Sequence, residues 1–420
     1  MSPPTCRFCR TPLAHTFVDL GRQPLANSYL TADQLAAGNE PTYPLHARVC
    51  HKCFLVQVDD VVPADAIFDD AYAYFSAFSS SWVEHARRYA VAMRERFGLG
   101  PRSLVIEVAS NDGYLLQHFV GMGVPVLGVE PTANTAQAAI ARGVPTEISF
   151  FSVATGRDLA ARGLKADLMA ANNVLAHVPD IGDFVGGFRE VLKDEGVLTF
   201  EFPHLLNLIE KVQFDTIYHE HYSYLSLVAV EQVLRANGLR PFDVERLPTH
   251  GGSLRLYCCH AASSHVETEA LAALRASEQA AELNRIESYA GFTPRVEAVR
   301  TRFRLYLEEA KLEGRRVAAY GAAAKGNTFL NYCGAGADDI VAAFDANPAK
   351  QGRYLPGSHI PILSPEDVAR VRADDLLILP WNLKDEIMHQ LAYIRDWGGA
   401  VRDRLARRAD PLGCASRKPA

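Results

Sequence analysis

The densest run of reactive side chains extends from Tyr218 to Tyr222, reads Tyr-His-Glu-His-Tyr and carries five ionisable or phenolic groups in a row. Histidine titrates near neutral pH, and a neighbouring carboxylate can orient the imidazole or raise its pKa, so Glu220 beside His221 favours acid–base chemistry. The phenol of Tyr218 can donate to a developing oxyanion. His219 and His221 lack the four-residue spacing that places two imidazoles of a metal site on one helix face. Acid–base chemistry is the main prediction, with a metal site or a decorated surface as alternatives.

Four of the eight cysteines form two pairs of identical spacing, Cys6-Arg-Phe-Cys9 and Cys50-His-Lys-Cys53. Each CxxC turn directs two thiolates at one point, so two turns complete the closed tetrahedral shell of a structural zinc ion. A closed shell leaves no position for a substrate, and its expected role is folding. Free thiols and a redox pair are the alternatives. The remaining cysteines show no metal-ligand spacing: Cys258, Cys259, Cys333 and Cys414.

A strand-like run from Ser103 to Val108 ends in a polar turn, and a second predicted strand ends on Glu130. In open α/β sheets ligands bind at the carboxyl ends of the strands, where a carboxylate suits two ribose hydroxyls. A pyrophosphate would need GxGxxG, but alanine and asparagine occupy the first two glycine positions. The turn instead suits the amino-acid tail of S-adenosylmethionine (SAM), with Asp112 as an acceptor for its ammonium group. A structural turn without a ligand is the alternative.

The predicted cofactor residues therefore belong to three strand ends. They are Glu107, Ala109, Ser110, Asn111, Asp112 and Gly113 at the first, Glu130 at the second, and Asn172 and Asn173 at the third. The third strand end also supplies an imidazole, that of His177.

Two glycine-containing segments in the second half of the chain can contact a substrate. The run Tyr320-Gly-Ala-Ala-Ala-Lys-Gly-Asn327 lies between a predicted strand and helix, and its glycine spacing is not that of a P-loop. Its backbone amides and Lys325 can contact a nucleotide diphosphate, with a tight structural turn as the alternative. The hairpin-like segment ending at Arg255 offers a guanidinium for phosphate oxygens. An arginine at a strand start also fits a solvated edge.

Strands alternate with helices from residue 103 to 202 and again from residue 316, which predicts two parallel, doubly wound sheets. A stretch rich in Ala, Glu, Leu and Arg between them, with one expected break at residues 291–294, predicts a helical pair that packs one domain on another. The predicted divisions are a zinc-binding domain at 1–66, a SAM-dependent methyltransferase domain at 67–262, a helical connection at 263–313, a Rossmann-like C-terminal domain at 314–407 and a tail at 408–420.

The composition agrees with this organisation, because 420 residues at about 150 per domain predict about three domains. Forty-three basic and 49 acidic residues leave a net charge of −6, which argues against a broad nucleic-acid surface. No window approaches about 18 uninterrupted apolar residues, so we expect no membrane span. The first 20 residues lack the apolar core of a secretory signal. We therefore expect a cytoplasmic protein, whose cysteines are thiols or metal ligands.

These motifs occur in the order found in nucleotide-sugar C-methyltransferases, a family that builds branched deoxysugars, often for antibiotics. They are the two cysteine pairs, SNDGY at 110–114, NNVLAHV at 172–178, YHEHYSYLS at 218–226, HGGSLR at 250–255 and YGAAAKGN at 320–327. The sequence resembles that family over nearly its whole length, most specifically in YHEHYSYL. The resemblance implies a monomeric α/β protein with a small zinc-binding N-terminal domain, a class I SAM-dependent methyltransferase Rossmann-like middle domain and a second Rossmann-like C-terminal domain.

The resemblance also implies roles for individual residues. His221 matches the base, and the residues around the reacting sugar are Tyr218, Glu220, His177 and Tyr72. The implied substrate contacts are Tyr74, Ser76, Tyr222, His250, Gly252, Ser253, Arg255, Lys325 and Asn327. Phe75 departs from the polar or histidine side chain expected near that position.

The implied chemistry agrees with the residues, because a C–H bond becomes nucleophilic only beside a group such as a carbonyl. The substrate is then a 4-keto-deoxysugar nucleotide, whose C3 proton is acidified by the C4 ketone; the resemblance implies a dTDP-linked sugar, although the residues do not identify the base. Rival interpretations are SAM-dependent methylation of oxygen or nitrogen in another small metabolite, a zinc-ribbon nucleic-acid-binding protein, and a nicotinamide dehydrogenase. The sequence thus predicts a SAM-dependent C-methyltransferase with a structural Zn²⁺ and no nucleic-acid partner.

Overall fold

The computed structural model describes residues 4–59 and 75–403. Two of the predicted site residues, Tyr72 and Tyr74, lie outside these ranges. The described chain falls into two compact units. The first contains residues 4–15, 48–59, 75–208 and 220–289, and the second contains residues 16–47, 209–219 and 290–403. The predicted domain divisions stay a prediction.

The strands of the described chain are numbered from its N-terminus. They are β1 (His15–Gln23), β2 (Tyr43–Val49), β3 (Val56–Val58), β4 (Val105–Val108), β5 (Val126–Val129), β6 (Thr146–Glu147), β7 (Ala166–Asn172), β8 (Leu192–Pro203), β9 (Ser223–Tyr224), β10 (Leu239–Leu247), β11 (Ser253–His260), β12 (Val317–Tyr320), β13 (Ala343–Phe344), β14 (Ile362–Leu363), β15 (Asp375–Ile378) and β16 (Ala400–Arg402).

The α-helices follow the same order. They are α1 (Ala32–Ala37), α2 (Ser80–Phe97), α3 (Leu116–Gly121), α4 (Ala133–Ala141), α5 (Val153–Ala161), α6 (Ile181–Val191), α7 (Leu205–Glu210), α8 (Leu227–Ala236), α9 (Glu269–Ala280), α10 (Phe292–Leu312), α11 (Ala324–Cys333), α12 (Val368–Val371) and α13 (Lys384–Gln390). None of the described helices combines the length and the apolar composition that a membrane span requires.

A seven-stranded sheet organises the first unit, in the order β10-β11-β8-β7-β4-β5-β6. Strands β4 to β8 pair in parallel, and β11 pairs antiparallel with both β8 and β10. The chain moves outward from β4 through β5 to β6 and then returns to the other side of β4 with β7. The order therefore reverses between β4 and β7, and the carboxyl ends of these strands border the crevice where such sheets bind ligands.

Apolar residues cover both faces of this sheet. One cluster contains Phe188, Phe200 and Leu234, and the other contains Tyr89 and Phe119. Because both faces are covered, β4 is buried along its whole length, as parallel strands usually are. The cysteine pairs belong to the first of these clusters, so the packing of the zinc-binding segment continues into the core of the sheet.

The second unit contains a five-stranded parallel sheet in the order β14-β13-β12-β15-β16. In this sheet the order reverses between β12 and β15. Gly321 follows β12 with a positive φ of 88°, and a Cβ at this position would lie 2.4 Å from Cδ of Pro380. Only glycine accepts both conditions, so this residue permits the turn at the end of β12.

The helical stretch between the two α/β patterns differs from its prediction in detail. The expected break at 291–294 is wrong: the break lies at residues 281–291, between α9 and α10. Helix α10 begins at Phe292 and holds Pro294 in its first turn, where a missing backbone N–H costs no helical hydrogen bond. Proline therefore marks a helix start at this position rather than a helix end.

Candidate functional site

The polar turn after β4 lies at the reversal point of the first sheet and uses three left-handed backbone conformations. Ala109, Asn111 and Gly113 have φ values of 56°, 48° and 76°. The carboxylate of Glu130 stabilises this backbone, because Oε2 accepts from the Asn111 N–H at 2.9 Å and Oε1 accepts from the Thr132 N–H at 3.0 Å. A carboxylate has about four lone-pair sites, so Glu130 retains acceptor capacity for two ribose hydroxyls.

Several buried polar atoms at these strand ends have no hydrogen-bond partner among the described residues. They are Ser110 Oγ, Asp112 Oδ1, Asn172 Oδ1 and Asn173 Oδ1. Buried polar groups are nearly always paired in folded proteins, so these acceptors indicate a ligand. Gly128 leaves room beside them, because a Cβ there would lie 2.5 Å from Ser110 Oγ. Acceptors of this kind fit the ammonium and hydroxyl donors of SAM.

Glu107 and Asp112 differ in their surroundings although both side chains are fully buried. Burial raises the pKa of Glu107 well above its ordinary value, against an opposing interaction with Tyr114, and the nearby carboxylates of Glu130 and Asp112 raise it further. Asp112 instead forms an ion pair with Arg142 at 2.8 Å. The turn therefore combines an ion-paired carboxylate at Asp112 with a carboxyl at Glu107 that favours its protonated form.

Two predicted catalytic histidines meet in the first unit. Their ring centroids lie 4.6 Å apart at an interplanar angle of 80°, with His177 ending the 3-10 turn Leu175–His177 and His221 preceding β9. His177 keeps some exposed surface but lies deep among protein atoms, and this desolvation lowers its pKa to about 4. A hydrogen bond with the backbone of Glu220 opposes the shift. The imidazole of His177 is therefore neutral near pH 7.

The preceding residues of the same sequence run belong to the second unit. His219 is 4% exposed, and its Nε2 lies 3.1 Å from the carbonyl oxygen of Pro44. Burial lowers its pKa. Tyr218 is half-buried and follows a 3-10 turn whose Asp215 accepts a hydrogen bond from the Trp381 indole at 2.5 Å. The decorated-surface alternative is therefore wrong for this run, and His219 has a structural role.

Arg255, predicted to contact phosphate, lies in a buried network of the first unit. Its guanidinium donates to Glu201 at 2.9 Å and to Glu245 at 2.8 Å. Because Arg255 is 5% exposed, the alternative of a solvated edge residue is wrong. Its role toward a substrate stays a prediction.

Sequence reasoning did not single out Glu201 or its partner His85. Glu201 is fully buried, and its Oε2 lies 3.0 Å from Nε2 of His85. Burial raises the pKa of Glu201, but the hydrogen bond with His85 and the charge of Arg255 outweigh it and lower the pKa. An acidic residue inside the apolar run Leu198-Thr-Phe-Glu-Phe202 was the available signal.

Other predicted substrate residues belong to the first unit, and one of them contacts the cofactor turn directly. The Ser76 N–H donates to Asn111 Oδ1 at 2.9 Å. His250 meets Trp82 edge to face at 5.5 Å and has a positive φ of 51°. The remaining members are Gly252, whose carbonyl accepts from the Asn207 amide at 3.2 Å, the buried Ser253 and Tyr222, which is 1% exposed.

The turn after β12 in the second unit is already tied to neighbouring side chains. The Ala322 N–H donates to Asp345 Oδ2 at 2.7 Å, so a carboxylate occupies one amide that a phosphate would use. Lys325 donates to Asn382 Oδ1 at 2.7 Å, and its ammonium lies 4.8 Å from the centroid of Trp381. Asn327 is buried and donates to the Ala26 carbonyl at 2.6 Å. Of the two side chains predicted to contact substrate from this turn, Lys325 is the more accessible.

The four cysteines of the two CxxC pairs gather as predicted. All four sulfur atoms lie within 4.8 Å of one another, with Cys6 and Cys53 3.5 Å apart and Cys9 and Cys50 3.4 Å apart. Zinc–sulfur bonds of about 2.3 Å place the sulfurs of a tetrahedral shell about 3.8 Å apart, so the cluster fits zinc. Hydrogen bonds with Cys50 and Cys53 lower the pKa of Cys6, whereas the bond with Cys50 raises that of Cys53.

No second group of three or more histidine, cysteine or acidic ligands gathers within residues 4–59 and 75–403.

Three family models match the chain along its length. They are "Putative zinc binding domain" at residues 6–68, "Methyltransferase domain" at 82–243 and "C-methyltransferase C-terminal domain" at 248–402.

Several solved structures match part of the chain. The 1,6-didemethyltoxoflavin-N1-methyltransferase of Burkholderia thailandensis, bound to S-adenosylhomocysteine, is 18% identical with a TM-score of 0.36, over 49% of this chain and 94% of its own. Magnesium protoporphyrin IX methyltransferase of Synechocystis PCC 6803 is also 18% identical, with a TM-score of 0.35, over 46% and 91% of the two chains.

Several relatives match by sequence, and one of them matches nearly the whole chain. A ubiquinone biosynthesis O-methyltransferase of Rhodopseudomonas palustris is 24% identical over 32% of this chain and 62% of its own length. C-methyltransferase NovU of Streptomyces niveus is 36% identical over 394 residues, which are 94% of this chain and 93% of that protein. With its zinc-binding cysteine cluster and class I methyltransferase fold, the chain belongs to the SAM-dependent C-methyltransferases.

Proposed function

We propose that this C-methyltransferase acts on C3 of a 4-keto-deoxysugar nucleotide, dTDP-linked, in the biosynthesis of branched deoxysugars. The observation that carries the proposal is the edge-to-face pair of His177 and His221 at 4.6 Å. The pair belongs to the same unit as the cofactor turn. The resemblance of the motifs to nucleotide-sugar C-methyltransferases and the likeness to NovU support the substrate class.

Methylation at carbon sets a requirement that methylation at oxygen or nitrogen does not. A C–H carbon has no lone pair, so the enzyme must remove a proton first, and a neighbouring ketone makes that proton acidic. A histidine with a pKa near the working pH is suited to this task. In this proposal His221 is the base that removes the C3 proton.

The remaining residues stabilise the charge that this step creates. As a ring nitrogen of His221 takes the C3 proton, the electron pair moves onto the C4 oxygen, to which Tyr218 donates a hydrogen bond. Bound SAM would supply a sulfonium methyl group: the ketone re-forms from the pair on the C4 oxygen as C3 of the enolate bonds to the methyl carbon, and sulfur keeps the electrons of the broken bond. Glu220 orients the protonated imidazole. Neutral His177 holds the backbone of Glu220 through a hydrogen bond and so fixes the segment that carries His221.

The cofactor and the nucleotide are assigned to different strand ends. SAM is held by the turn at 109–113, with Glu130 on the ribose hydroxyls and Asp112 on the ammonium group. Lys325, in the first turn of α11, is assigned to the diphosphate, where a helix N-terminus adds to the attraction for an anion. We also propose that the enzyme acts as a monomer without a nucleic-acid partner.

The test is incubation with SAM and a panel of 4-keto-6-deoxy sugar nucleotides, read by mass spectrometry and by NMR of the product. The expected product gains one methyl group in place of the C3 hydrogen. Transfer to oxygen or nitrogen, or no gain with any member of the panel, would contradict the proposal.

The base assignment has its own measurement. With S-adenosylhomocysteine in D2O, methyl transfer cannot occur, so exchange of the C3 proton reports the base alone. We expect His221→Asn to slow this exchange by about 100-fold or more, in line with general-base contributions. The matched control is His389→Asn, at an exposed position in the last turn of α13. Exchange at the wild-type rate in His221→Asn would show that another group is the base.

A further inference from the structure

We propose that Arg7 is a positioning residue for methyl transfer, because it connects the cysteine cluster to both segments that carry the histidine pair. The inference rests on the proposed function, in which His221 is the base. It gives the zinc knuckle, defined as residues 6–9 and 50–53, a role beyond folding.

Among the described residues of the first unit, the Arg7 side chain contacts two backbone carbonyls and an aromatic ring. Nη1 donates to the carbonyl of Pro179 at 3.0 Å, and Nη2 donates to the carbonyl of Val58 at 2.8 Å. The guanidinium also lies 5.0 Å from the ring centroid of Tyr222. Arg7 is only 7% exposed, so its guanidinium is largely shielded from water, although Pro179 itself is exposed.

Two partners of Arg7 are close in sequence to the histidines of the edge-to-face pair. Pro179 lies two residues after His177, and Tyr222 directly follows His221. The planar guanidinium presents its donors in a fixed fork, so contacts to two carbonyls and a ring constrain their relative positions. Arg7 therefore restrains the separation of the two segments whose imidazoles meet.

The backbone behind Arg7 is itself held in place. The Arg7 N–H donates to Gln57 Oε1 at 2.8 Å, and Gln57 Nε2 donates to Cys6 Sγ at 3.2 Å. Strand β3, which contains Gln57, pairs with β9, where Gln57 lies opposite Ser223. Strand β3 therefore contacts both a zinc ligand, Cys6, and the residues that follow His221.

Arg10 offers a comparison beside the same knuckle. It also reaches the loop after His177, with Nη2 3.1 Å from Asp180 Oδ2, but its side chain is 67% exposed. Exposed ion pairs contribute little. Comparing Arg7 with Arg10 therefore distinguishes a buried guanidinium that sets the geometry of the loop from an exposed guanidinium that contacts the same loop.

The experiment uses the full-length, zinc-loaded enzyme with the variants Arg7→Met and Arg7→Lys, and with Arg10→Met as the matched control. We expect Arg7→Met to lower kcat by about 10- to 100-fold, because small displacements of reacting groups cost that much. KM for SAM and the zinc content per chain should stay within about twofold. Arg7→Lys should fall between Arg7→Met and wild type, since lysine keeps the charge but lacks the fork.

A direct readout comes from the imidazole NMR signals of histidine-labelled enzyme. Arg7→Lys should shift the signals of His177 and His221, and Arg10→Met should leave them in place. If Arg7→Met does not fold, Arg7→Lys carries both measurements.

Wild-type kcat and unshifted signals in Arg7→Lys would overturn the inference. So would a loss of activity that only follows the loss of zinc. His221→Asn, measured in parallel, separates the two proposals: wild-type C3 exchange in that variant refutes the base assignment, whatever Arg7 does.

Discussion

His177 and His221 meet edge to face, with ring centroids 4.6 Å apart, although they come from different sheet connections. The desolvated ring of His177 stays neutral, with a pKa of about 4. A neutral partner does not repel a proton from His221, which in the proposed reaction becomes positively charged. In the proposed reaction the pair therefore combines one imidazole that is neutral near pH 7 with one that accepts the substrate proton.

Replacement of His177 by asparagine should change how stability depends on pH. The unfolded chain protonates this imidazole as the pH falls through about 6.5, whereas the folded chain does so only near the lowered pKa of about 4. Wild type therefore loses unfolding free energy between these two values, by at most about 3 kcal/mol and less because the ring keeps some solvent contact. Urea unfolding of both proteins from pH 7.5 to 4 should show their difference shifting in favour of His177→Asn. Parallel curves would contradict this prediction.

Glu107→Gln should be tolerated and should stabilise the protein at neutral pH. The raised pKa means that an unfolded Glu107 ionises at a lower pH than a folded one, so wild type loses stability as the pH rises above about 4.5. Glutamine has the shape of the neutral acid and carries no such penalty. Calorimetry at pH 5 and pH 8 should show a larger gain at pH 8. A variant that is less stable than wild type by the same amount at both values would argue against a protonated Glu107.

Glu130→Gln should weaken SAM binding by about 10- to 100-fold, because one carboxylate oxygen becomes an amide that cannot accept from a backbone N–H. Glutamine keeps one carbonyl oxygen, so either the Asn111 N–H or the Thr132 N–H loses its acceptor. Calorimetric titration with SAM measures the loss. Glu147→Gln is the control, since Glu147 ends the edge strand β6 and pairs with Arg162 at 2.9 Å. An equal loss of SAM affinity in both variants would show that Glu130 has no specific role in SAM binding.

Cys53→Ser should release zinc and destabilise the core of the first unit. Cys53 is 1% exposed and packs in the same apolar cluster as the methyltransferase sheet. Structural zinc sites contribute about 10–16 kcal/mol in peptides, so we expect a loss of several kcal/mol in unfolding free energy. Metal analysis and calorimetry measure both effects. Cys258→Ser, at a buried cysteine of β11, should lower stability while zinc is retained, and zinc loss there would show that the two effects are not separable.

Local patterns were sufficient for much of the chemistry. The spacing of Cys6, Cys9, Cys50 and Cys53 predicted the cluster, because two residues between cysteines force both sulfurs to one side of a turn. Glu130 and the turn at 109–113 were predictable from strand ends, because parallel strands bring their carboxyl ends to one edge. The type and approximate place of most helices and strands followed from the alternation of strand-like and helix-like segments along the sequence.

The tertiary structure decided which distant groups meet. The contact of His177 with His221, the burial of Arg255 against Glu201 and the reach of Arg7 to Pro179 join residues far apart in the chain. Their distances depend on the sheet order, in which β11 lies between β8 and β10. Residue spacing determines geometry over a turn or a strand, whereas long-range contacts depend on how whole faces pack. The sequence by itself therefore determined the kinds of chemical group and the local turns that hold them, and only the packing of the sheet decided which of them come into contact.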